Sequence, residues 1–325
     1  MDRRDFLKKG TVAAGLAASQ KVLQPLARAG GVATPLSALP KRQLGKTGIK
    51  LSIIGFGGIV VTSTEQSFAN NIVAEAFDRG INYFDVAPTY GNAQERLGPA
   101  FEPYRKRSFL ACKTAERTKD GAAKELETSL RLLRTDYLDL YQFHHLTTLA
   151  EVDQVFGPNG AMETFQAAKK AGKVRFIGFS AHSVEAALAA LDRYAFDTIL
   201  FPFNFVLFSQ ANFGPQVLER ARAKGMGVLA LKAMAKRPWP KSMKQEERPN
   251  PKCWYEPAAL PEEAALALRW TLSQPITAAV PPGDEKYFRL AMDVAQKFQP
   301  LQPEEEKTLM ARAAGVEPIF RLGNA

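Results

Sequence analysis

The sequence contains few of the residues that build disulfide and metal sites. Its 325 residues include only two cysteines, Cys112 and Cys253, and three histidines. Two distant cysteines form neither a CxxC pair nor a disulfide framework. The histidine spacing does not match a zinc site. The sequence therefore predicts a protein without a metal centre.

Two further kinds of segment are missing from the body of the chain. No apolar run of 18 or more residues follows the N-terminal segment, which argues against a membrane-spanning helix. No basic patch alternates with aromatic residues, which argues against a nucleic-acid partner. The net charge is +10, of which residues 1–29 contribute +4 through six basic and two acidic residues, leaving about +6 for the rest. This moderately basic balance suits a ligand that carries phosphate groups.

The first 40 residues have the parts of an export signal. Residues 2–9 read DRRDFLKK, residues 11–19 are weakly apolar, and residues 27–29 read ARA. The arginine pair followed by FLK resembles the twin-arginine signal, with aspartate where that signal normally has serine or threonine. An amphipathic basic helix is the alternative. We interpret 1–29 as a signal peptide cleaved after Ala29 and 30–40 as a linker, so that the twin-arginine translocase would deliver the protein to the periplasm.

Alternating strand and helix patterns fill the remainder, residues 41–325. Residues 41–58 predict a hairpin, with its turn at Gly45 and Gly48, and then a strand. Eight strands, each followed by a helix, predict an α/β fold, a (β/α)8 TIM barrel with an N-terminal β-hairpin. A doubly wound sheet is the alternative, but residues 55–60, GFGGIV, fail its GxGxxG fingerprint. The strands are predicted at 52–56, 81–84, 109–112, 138–143, 174–179, 198–203, 227–231 and 277–280, and the helices at 65–79, 93–102, 120–134, 160–171, 183–193, 214–224, 261–273 and 284–297, with one more at 303–313.

Polar side chains follow several of the predicted strands at their C-terminal ends, where barrel active sites form. Asp85 ends the second strand and Tyr90 lies on its loop, Lys113 ends the third, His144 follows the fourth, and Ser180 ends the fifth. Each has an alternative role, such as a solvated lysine, a buried hydrogen-bonded imidazole or a helix cap. Because all of these residues are expected at the same end of the barrel, they instead indicate a functional site.

These side chains suit the delivery of a proton to a carbonyl oxygen. A free tyrosine has a pKa of about 10, and the charge of Lys113 would lower the pKa of Tyr90. Asp85 would hold Lys113, and a neutral His144 would orient the carbonyl group. No nucleophile elbow GxSxG is present. The nucleophile should therefore come from a cofactor, with hydride as the obvious candidate.

The motifs around these residues resemble the aldo-keto reductase family. The resemblance runs from Lys41 to about residue 297 and lies in RQLGKTGIKLS at 42–52, FDVAPTYG at 84–91 with ERLG at 95–98, DLYQFH at 139–144 and IGFS at 177–180. It implies a catalytic tetrad in which Tyr90 is the general acid, Lys113 tunes its pKa, His144 orients the carbonyl and Asp85 holds the lysine. It also implies reduction of a small-molecule aldehyde or ketone with hydride from NAD(P)H.

The resemblance further implies a set of coenzyme contacts, in which Ser180 would bind the nicotinamide carboxamide. Several positions depart from the family pattern: Leu200 replaces a glutamine, Leu231 an aromatic residue, and Asp284 and Glu285 stand where basic residues often hold a 2′-phosphate. Lys232 or Lys286 could compensate, so NADP(H) remains preferred over NAD(H). The implied coenzyme-binding residues are Gly57, Gly58, Ser180, Lys232, Pro282 and Gly283.

The loops should set the substrate, mainly 114–118, 145–160 and the long proline-rich segment 233–260. We predict His145, Trp239 and Trp254 in the substrate pocket, although 233–260 could instead pack only on its own side chains. Two other functions stay open: a nicotinamide-bound sensor with little turnover, and a Schiff-base lyase that uses Lys113 or Lys232.

Overall fold

A hairpin begins the part of the chain that the computed structural model describes, residues 38–323. The predicted signal peptide and most of the predicted linker lie outside these residues. β1 (Lys41–Gln43) pairs antiparallel with β2 (Lys50–Ser52). Gly45 and Gly48 have φ of +50° and +78°, so the turn is built as predicted. At Gly45 an added Cβ would lie 2.3 Å from the backbone nitrogen of Gly227, which is why the hairpin can pack so closely there.

Eight parallel strands follow and pair in one sheet. Each of these eight strands pairs with the one of the eight that follows it along the chain. The first and last strands meet through a bridge between Ile54 and Ala279, with the Gly55 N–H donating to the Ala279 carbonyl at 3.0 Å. The predicted barrel is therefore confirmed. Its strands are β3 (Phe56–Gly57), β4 (Tyr83–Asp85), β5 (Phe109–Thr114), β6 (Leu138–Leu146), β7 (Val174–Ala181), β8 (Thr198–Pro202), β9 (Gly227–Leu231) and β12 (Ala278–Val280).

Helices lie around this sheet, and each of them has a buried apolar face. Apolar residues at helical spacing form these faces, and the Thr118 and Ser183 side chains cap two of the helices. None of the helices within residues 38–323 is both long and apolar enough to span a membrane. They are α1 (Gln66–Asp78), α2 (Ala93–Phe101), α3 (Lys119–Leu132), α4 (Leu149–Phe156), α5 (Ala161–Lys170), α6 (Val184–Arg193), α7 (Phe205–Ala211), α8 (Pro215–Ala223), α9 (Pro261–Ser273), α10 (Glu285–Gln296) and α11 (Pro303–Ala313).

The interior of the barrel forms one apolar cluster, and the layer between the strands and the helices forms another. Tyr83, Phe109 and Leu140 from successive strands meet in the interior, and Leu44 and Leu51 of the hairpin pack against them. The hairpin therefore closes the end of the barrel where the strands begin. Functional side chains are left to the opposite end, where the strands finish.

The structure differs from the prediction in several places. Ser52 belongs to the hairpin, so the first barrel strand starts later than predicted. Two helices, α4 and α7, lie where no helix was predicted, and α4 begins with a capping box in which Thr148 and Glu151 bond to each other's backbone N–H. The long segment 233–260 contains two more strands, β10 (Ala235–Pro238) and β11 (Tyr255–Pro257), paired antiparallel. That pairing joins residues far apart in the sequence, so local patterns do not show it.

Candidate active site

A buried ion pair joins the C-terminal ends of two neighbouring strands. Lys113 Nζ on β5 donates to Asp85 Oδ1 on β4, and also to the Val86 carbonyl at 3.3 Å. Asp85 Oδ2 accepts from the Tyr83 hydroxyl at 3.1 Å and from Gln142 Nε2 at 3.3 Å. Burial lowers the pKa of Lys113, but the charges of Asp85 and Tyr90 raise it more. The Lys113 amine therefore stays charged, and the Asp85 carboxylate is the partner that a buried cation needs.

Tyr90 lies on the loop after β4 and faces this pair. Lys113 Nζ is 5.2 Å from the centroid of its ring, and Thr62 Oγ1 donates to the Tyr90 carbonyl at 2.9 Å. Burial raises the pKa of the Tyr90 phenol, the charge of Lys113 lowers it, and the net shift is upward. Lys113 thus shifts the pKa of Tyr90 in the predicted direction, but the effect of burial is larger. Tyr90 remains protonated at neutral pH, which is the form that a general acid needs.

His144 completes the group from β6. Its ring stands at 81° to that of Tyr90 with the centroids 5.6 Å apart, and its Nδ1 is 3.2 Å from Thr89 Oγ1. Burial and the charge of Lys113 lower the pKa of His144 to about 2, so the imidazole is neutral. When the Thr89 hydroxyl donates to Nδ1, the ring proton lies on Nε2 and can be donated to a carbonyl oxygen. The four side chains of the predicted tetrad thus lie together.

A cavity opens beside Tyr90 at this end of the barrel. Its walls come from the ends of β3, β8, β9 and β12 and from the segment just before β11. Of the residues predicted for coenzyme or substrate, Gly57, Lys232, Trp254, Pro282 and Gly283 are among those that line it. The full lining is Gly57, Ile59, Asp85, Tyr90, Leu200, Leu231, Lys232, Lys252, Cys253, Trp254, Tyr255, Val280, Pro281, Pro282 and Gly283.

A row of rings runs from the tetrad towards Trp254. The His144 and His145 centroids are 4.8 Å apart, and the His145 and His182 rings are stacked at 6.1 Å. Phe320, from the tail after α11, stacks on His182 at 5.0 Å and contacts Trp254 at 5.7 Å. This row connects His145 and Trp254, both predicted for the substrate pocket, but of the two only Trp254 lines the cavity.

Three other predicted residues lie close to the cavity and make contacts within the protein. The buried Trp239 donates its indole N–H to the Cys253 carbonyl at 2.7 Å, so it supports the segment that carries Trp254. A Cβ on Gly58 would lie 2.8 Å from Val86 Cγ2, which shows how tightly the end of β3 packs there. Ser180 Oγ accepts from the His145 backbone N–H at 2.8 Å, which leaves the hydroxyl proton to be donated elsewhere.

A known family matches this chain over residues 53–309, most of its length, and its description is the aldo/keto reductase family. The chain belongs to the aldo/keto reductase family. It is accordingly an oxidoreductase of a family that uses nicotinamide coenzymes.

Three relatives of this aldo/keto reductase show the extent of the similarity. The chain is 28% identical over 299 residues to an uncharacterized oxidoreductase of Bacillus subtilis, covering 83% of this chain and 95% of that protein. It is 28% identical over 221 residues to L-galactose dehydrogenase of Arabidopsis thaliana, covering 62% of this chain and 67% of that protein. An aldo-keto reductase from Bacillus halodurans, solved in its holo form, superimposes with a TM-score of 0.66 at 21% identity, covering 88% of this chain and 99% of that one. That last similarity shows the fold.

The residues of the cavity fit a nicotinamide coenzyme. The side chains that line the cavity beside Tyr90 are largely apolar and include Leu200 and Leu231. Such a lining suits the planar nicotinamide ring. The Ser180 hydroxyl has a proton to donate to a carboxamide oxygen. Two lysines, Lys232 and Lys252, contribute positive charge to the same cavity, which favours a ligand with phosphate groups.

Several residues that shape this aldo/keto reductase site were not predicted from the sequence. Tyr83 and Gln142 bind Asp85, and Tyr83 lies two positions before it, hence on the same face of β4. Gln142 is a polar residue inside an apolar strand, a signal that could have been used. Arg117 donates to the His144 carbonyl at 2.8 Å and to Glu151 Oε1 at 2.8 Å, and it had no comparable local signal.

Proposed function

We propose that this aldo/keto reductase reduces an aldehyde or ketone to an alcohol, with NAD(P)H as the reductant and Tyr90 as the general acid. The observation that carries the proposal is the protonated phenol of Tyr90, which lines an apolar cavity and has the fixed ammonium group of Lys113 against its ring. A protein that only binds its ligand has no need of this arrangement.

The roles of the side chains follow from their contacts. His144, neutral at physiological pH, donates to the carbonyl oxygen and orients it. Tyr90 transfers its proton to that oxygen, and the charge of Lys113 stabilises the phenolate that remains. Asp85 keeps Lys113 in place. The coenzyme, when bound, supplies the hydride that the carbonyl carbon receives.

We propose NADP(H) as the coenzyme, with contacts from Gly57, Gly58, Ser180, Lys232, Pro282 and Gly283. The two acids at the start of α10 argue against a 2′-phosphate, but both have partners. Asp284 Oδ1 accepts from the Lys286 backbone N–H at 3.0 Å, and Glu285 is paired with Arg289. Lys252 and Lys286 remain nearby as cations that a 2′-phosphate could use.

Steady-state turnover tests the proposal. We expect the purified protein to oxidise NADPH continuously in the presence of a simple aldehyde, and to do so with a lower KM for NADPH than for NADH. The coenzyme absorbance reports the rate. Tight coenzyme binding without turnover would contradict the reductase and favour a sensor. A Schiff-base lyase based on Lys113 is disfavoured by the raised pKa of its amine, because such chemistry needs the neutral form.

We also propose, from the sequence of residues 1–29 alone, that the protein is exported by the twin-arginine route and works in the periplasm. Export of a folded protein would allow the coenzyme to be loaded beforehand. Mass spectrometry of the protein purified from the periplasm should show a chain that begins at Gly30. A chain found only in the cytoplasm with residues 1–29 retained would refute the proposal.

A further inference from the structure

The strand that carries His144 is irregular at that residue. The pairing of β6 with β7 shifts register between Phe143 and Leu146, and His144 and His145 lie within this stretch. His145 has a φ of +43°, in the left-handed region that residues with a side chain rarely adopt. Irregularities of this kind are common next to active sites, where they change the direction of a side chain. The direction of the His144 ring therefore depends on contacts from outside the regular sheet pairing.

The peptide unit between His144 and His145 is bound by a side chain at each of its polar groups. Arg117 Nη2 donates to the His144 carbonyl at 2.8 Å, and the His145 N–H donates to Ser180 Oγ at 2.8 Å. The carbonyl, the N–H and the Cα atom of His144 all lie in one plane. Because that plane is bound at both groups, the position from which the imidazole leaves the backbone is fixed.

The side chain of Arg117 is itself firmly held, and only 9% of it is exposed. Its Nη1 donates to the Ala115 carbonyl at 3.0 Å, and its backbone carbonyl accepts from the Ala161 N–H at 2.9 Å. Its Nη2 and Nε donate to Glu151 Oε1 at 2.8 Å and 3.2 Å. A planar guanidinium group can make these bonds at the same time, which a lysine could not. Arg117 is therefore a rigid donor to the His144 carbonyl.

Glu151 connects this arginine to the loop that follows His145. Its Oε2 accepts from the N–H and the hydroxyl of Thr147, both at 2.7 Å, and from the Thr148 N–H at 3.1 Å. Burial raises the pKa of Glu151, but the hydrogen bonds from Thr147 and the contact with Arg117 outweigh it and lower the pKa to about 2. The carboxylate therefore stays ionised at neutral pH and keeps its bonds to Arg117 and to this loop.

We propose that Arg117 is a positioning residue that acts through the peptide unit after His144 and directs the imidazole at the substrate carbonyl, with Glu151 holding the arginine. The inference rests on the proposed reductase function, in which His144 orients that carbonyl. Thr89 Oγ1 already lies 3.2 Å from Nδ1 of the ring, so the ring would be fixed both at its backbone and at one nitrogen. A misplacement of about 1 Å caused by a change away from the reacting atoms can cost about 100-fold in rate.

A double-mutant cycle tests whether Arg117 acts through the imidazole. Arg117→Met removes the donors to the His144 carbonyl and to Glu151, and we expect it to lower kcat/KM for aldehyde reduction about 10- to 100-fold. In His144→Ala, which retains Tyr90 and Lys113, the same change should alter the residual rate by less than about 2-fold, because no ring is left to orient. Arg117→Lys, which keeps a cation, should lose less than Arg117→Met. Equal fold losses in both backgrounds would overturn the proposal.

Arg105 gives the matched control for the loss of a buried arginine. Its side chain is 8% exposed, and its Nη1 lies 2.8 Å from Asp139 Oδ2, near the start of β6. Arg105→Met should lower the unfolding free energy, since it also breaks a buried ion pair, but should reduce aldehydes at the wild-type rate. An activity loss as large as that of Arg117→Met would overturn the proposal, because a general structural effect would then explain both.

Crystal structures of the variants test the positioning without any turnover. In Arg117→Met the His144 ring should move from its place beside Tyr90 and Thr89, and in Arg105→Met it should stay there. Glu151→Gln, a milder change that leaves Arg117 in the chain, should move the ring in the same direction by less. An unmoved His144 ring in Arg117→Met would overturn the proposal. A wild type that reduces no aldehyde would refute the reductase function, and a displaced ring would still support control of His144 by Arg117.

Discussion

Replacement of Tyr90 by phenylalanine is expected to lower kcat/KM for aldehyde reduction by about 10²- to 10⁴-fold, the contribution of a positioned general acid. The change removes one hydroxyl group and keeps the ring that packs beside His144. Tyr83, the other phenol beside the buried ion pair, donates its hydrogen bond to Asp85, and Tyr255 in the cavity lies beside Lys232 instead of Lys113. Folding and the Kd of the coenzyme should remain as in the wild type, which calorimetry and coenzyme titration would show.

A tyrosine far from the cavity gives the matched control for this substitution. Tyr104 packs against Phe77 on the outside of the barrel, with ring centroids 4.5 Å apart. Tyr104→Phe makes the same chemical change and should reduce aldehydes at the wild-type rate. If Tyr90→Phe also kept the wild-type rate, proton delivery by Tyr90 would be wrong, and with it the mechanism.

Replacement of Lys113 by methionine is expected to lower both stability and activity. The variant leaves the Asp85 carboxylate buried with only the neutral donors of Tyr83 and Gln142, and removal of one partner from a buried ion pair typically costs about 3–5 kcal/mol of unfolding free energy. The phenolate of Tyr90 would also lose the cation that stabilises it. Urea unfolding would measure the stability, and kcat would measure the catalytic loss.

Two further variants separate these effects of Lys113. Asp85→Asn combined with Lys113→Met removes both charges, so much of the stability should return while activity stays low. Lys119→Met makes the same substitution in an exposed pair with Glu163, with Nζ and Oε2 2.8 Å apart. Surface pairs contribute little, so its unfolding should barely change. A Lys113→Met protein as stable as the wild type would mean that the buried pair does not hold this end of the barrel together.

The barrel and the tetrad were accessible from the sequence because their signals are local. The barrel strands are short apolar runs, and a polar residue such as Asp85 or Lys113 lies at or near the end of several of them. The C-terminal ends of neighbouring parallel strands lie at the same edge of the sheet. Polar residues at those ends are therefore predicted to lie close together, although the sequence gives no distances between them. The missed helix α4 also had a local signal, since Thr148 and Glu151 have the spacing of a capping box.

Other features depend on contacts between distant parts of the chain. The strands β10 and β11 pair across a long proline-rich segment, and the tail places Phe320 on His182. The pKa of Tyr90 depends on how deeply the ring is buried, and the sequence shows only that a lysine is near. The approach of Lys232 to the rings of Trp254 and Tyr255 likewise emerges only when β9 and the start of β11 are brought together.

The row of rings at the mouth of the barrel contains every histidine of the sequence: His144, His145 and His182. Any imidazole signal in a nitrogen-edited NMR spectrum of this protein must therefore come from that row. The pKa of His144 is lowered to about 2 and that of His182 to about 3, in both cases chiefly by burial, so neither ring changes its protonation near neutral pH. A shift in these two signals when a coenzyme or an aldehyde is added would report the arrival of the ligand itself, which makes the histidines a built-in probe of occupancy.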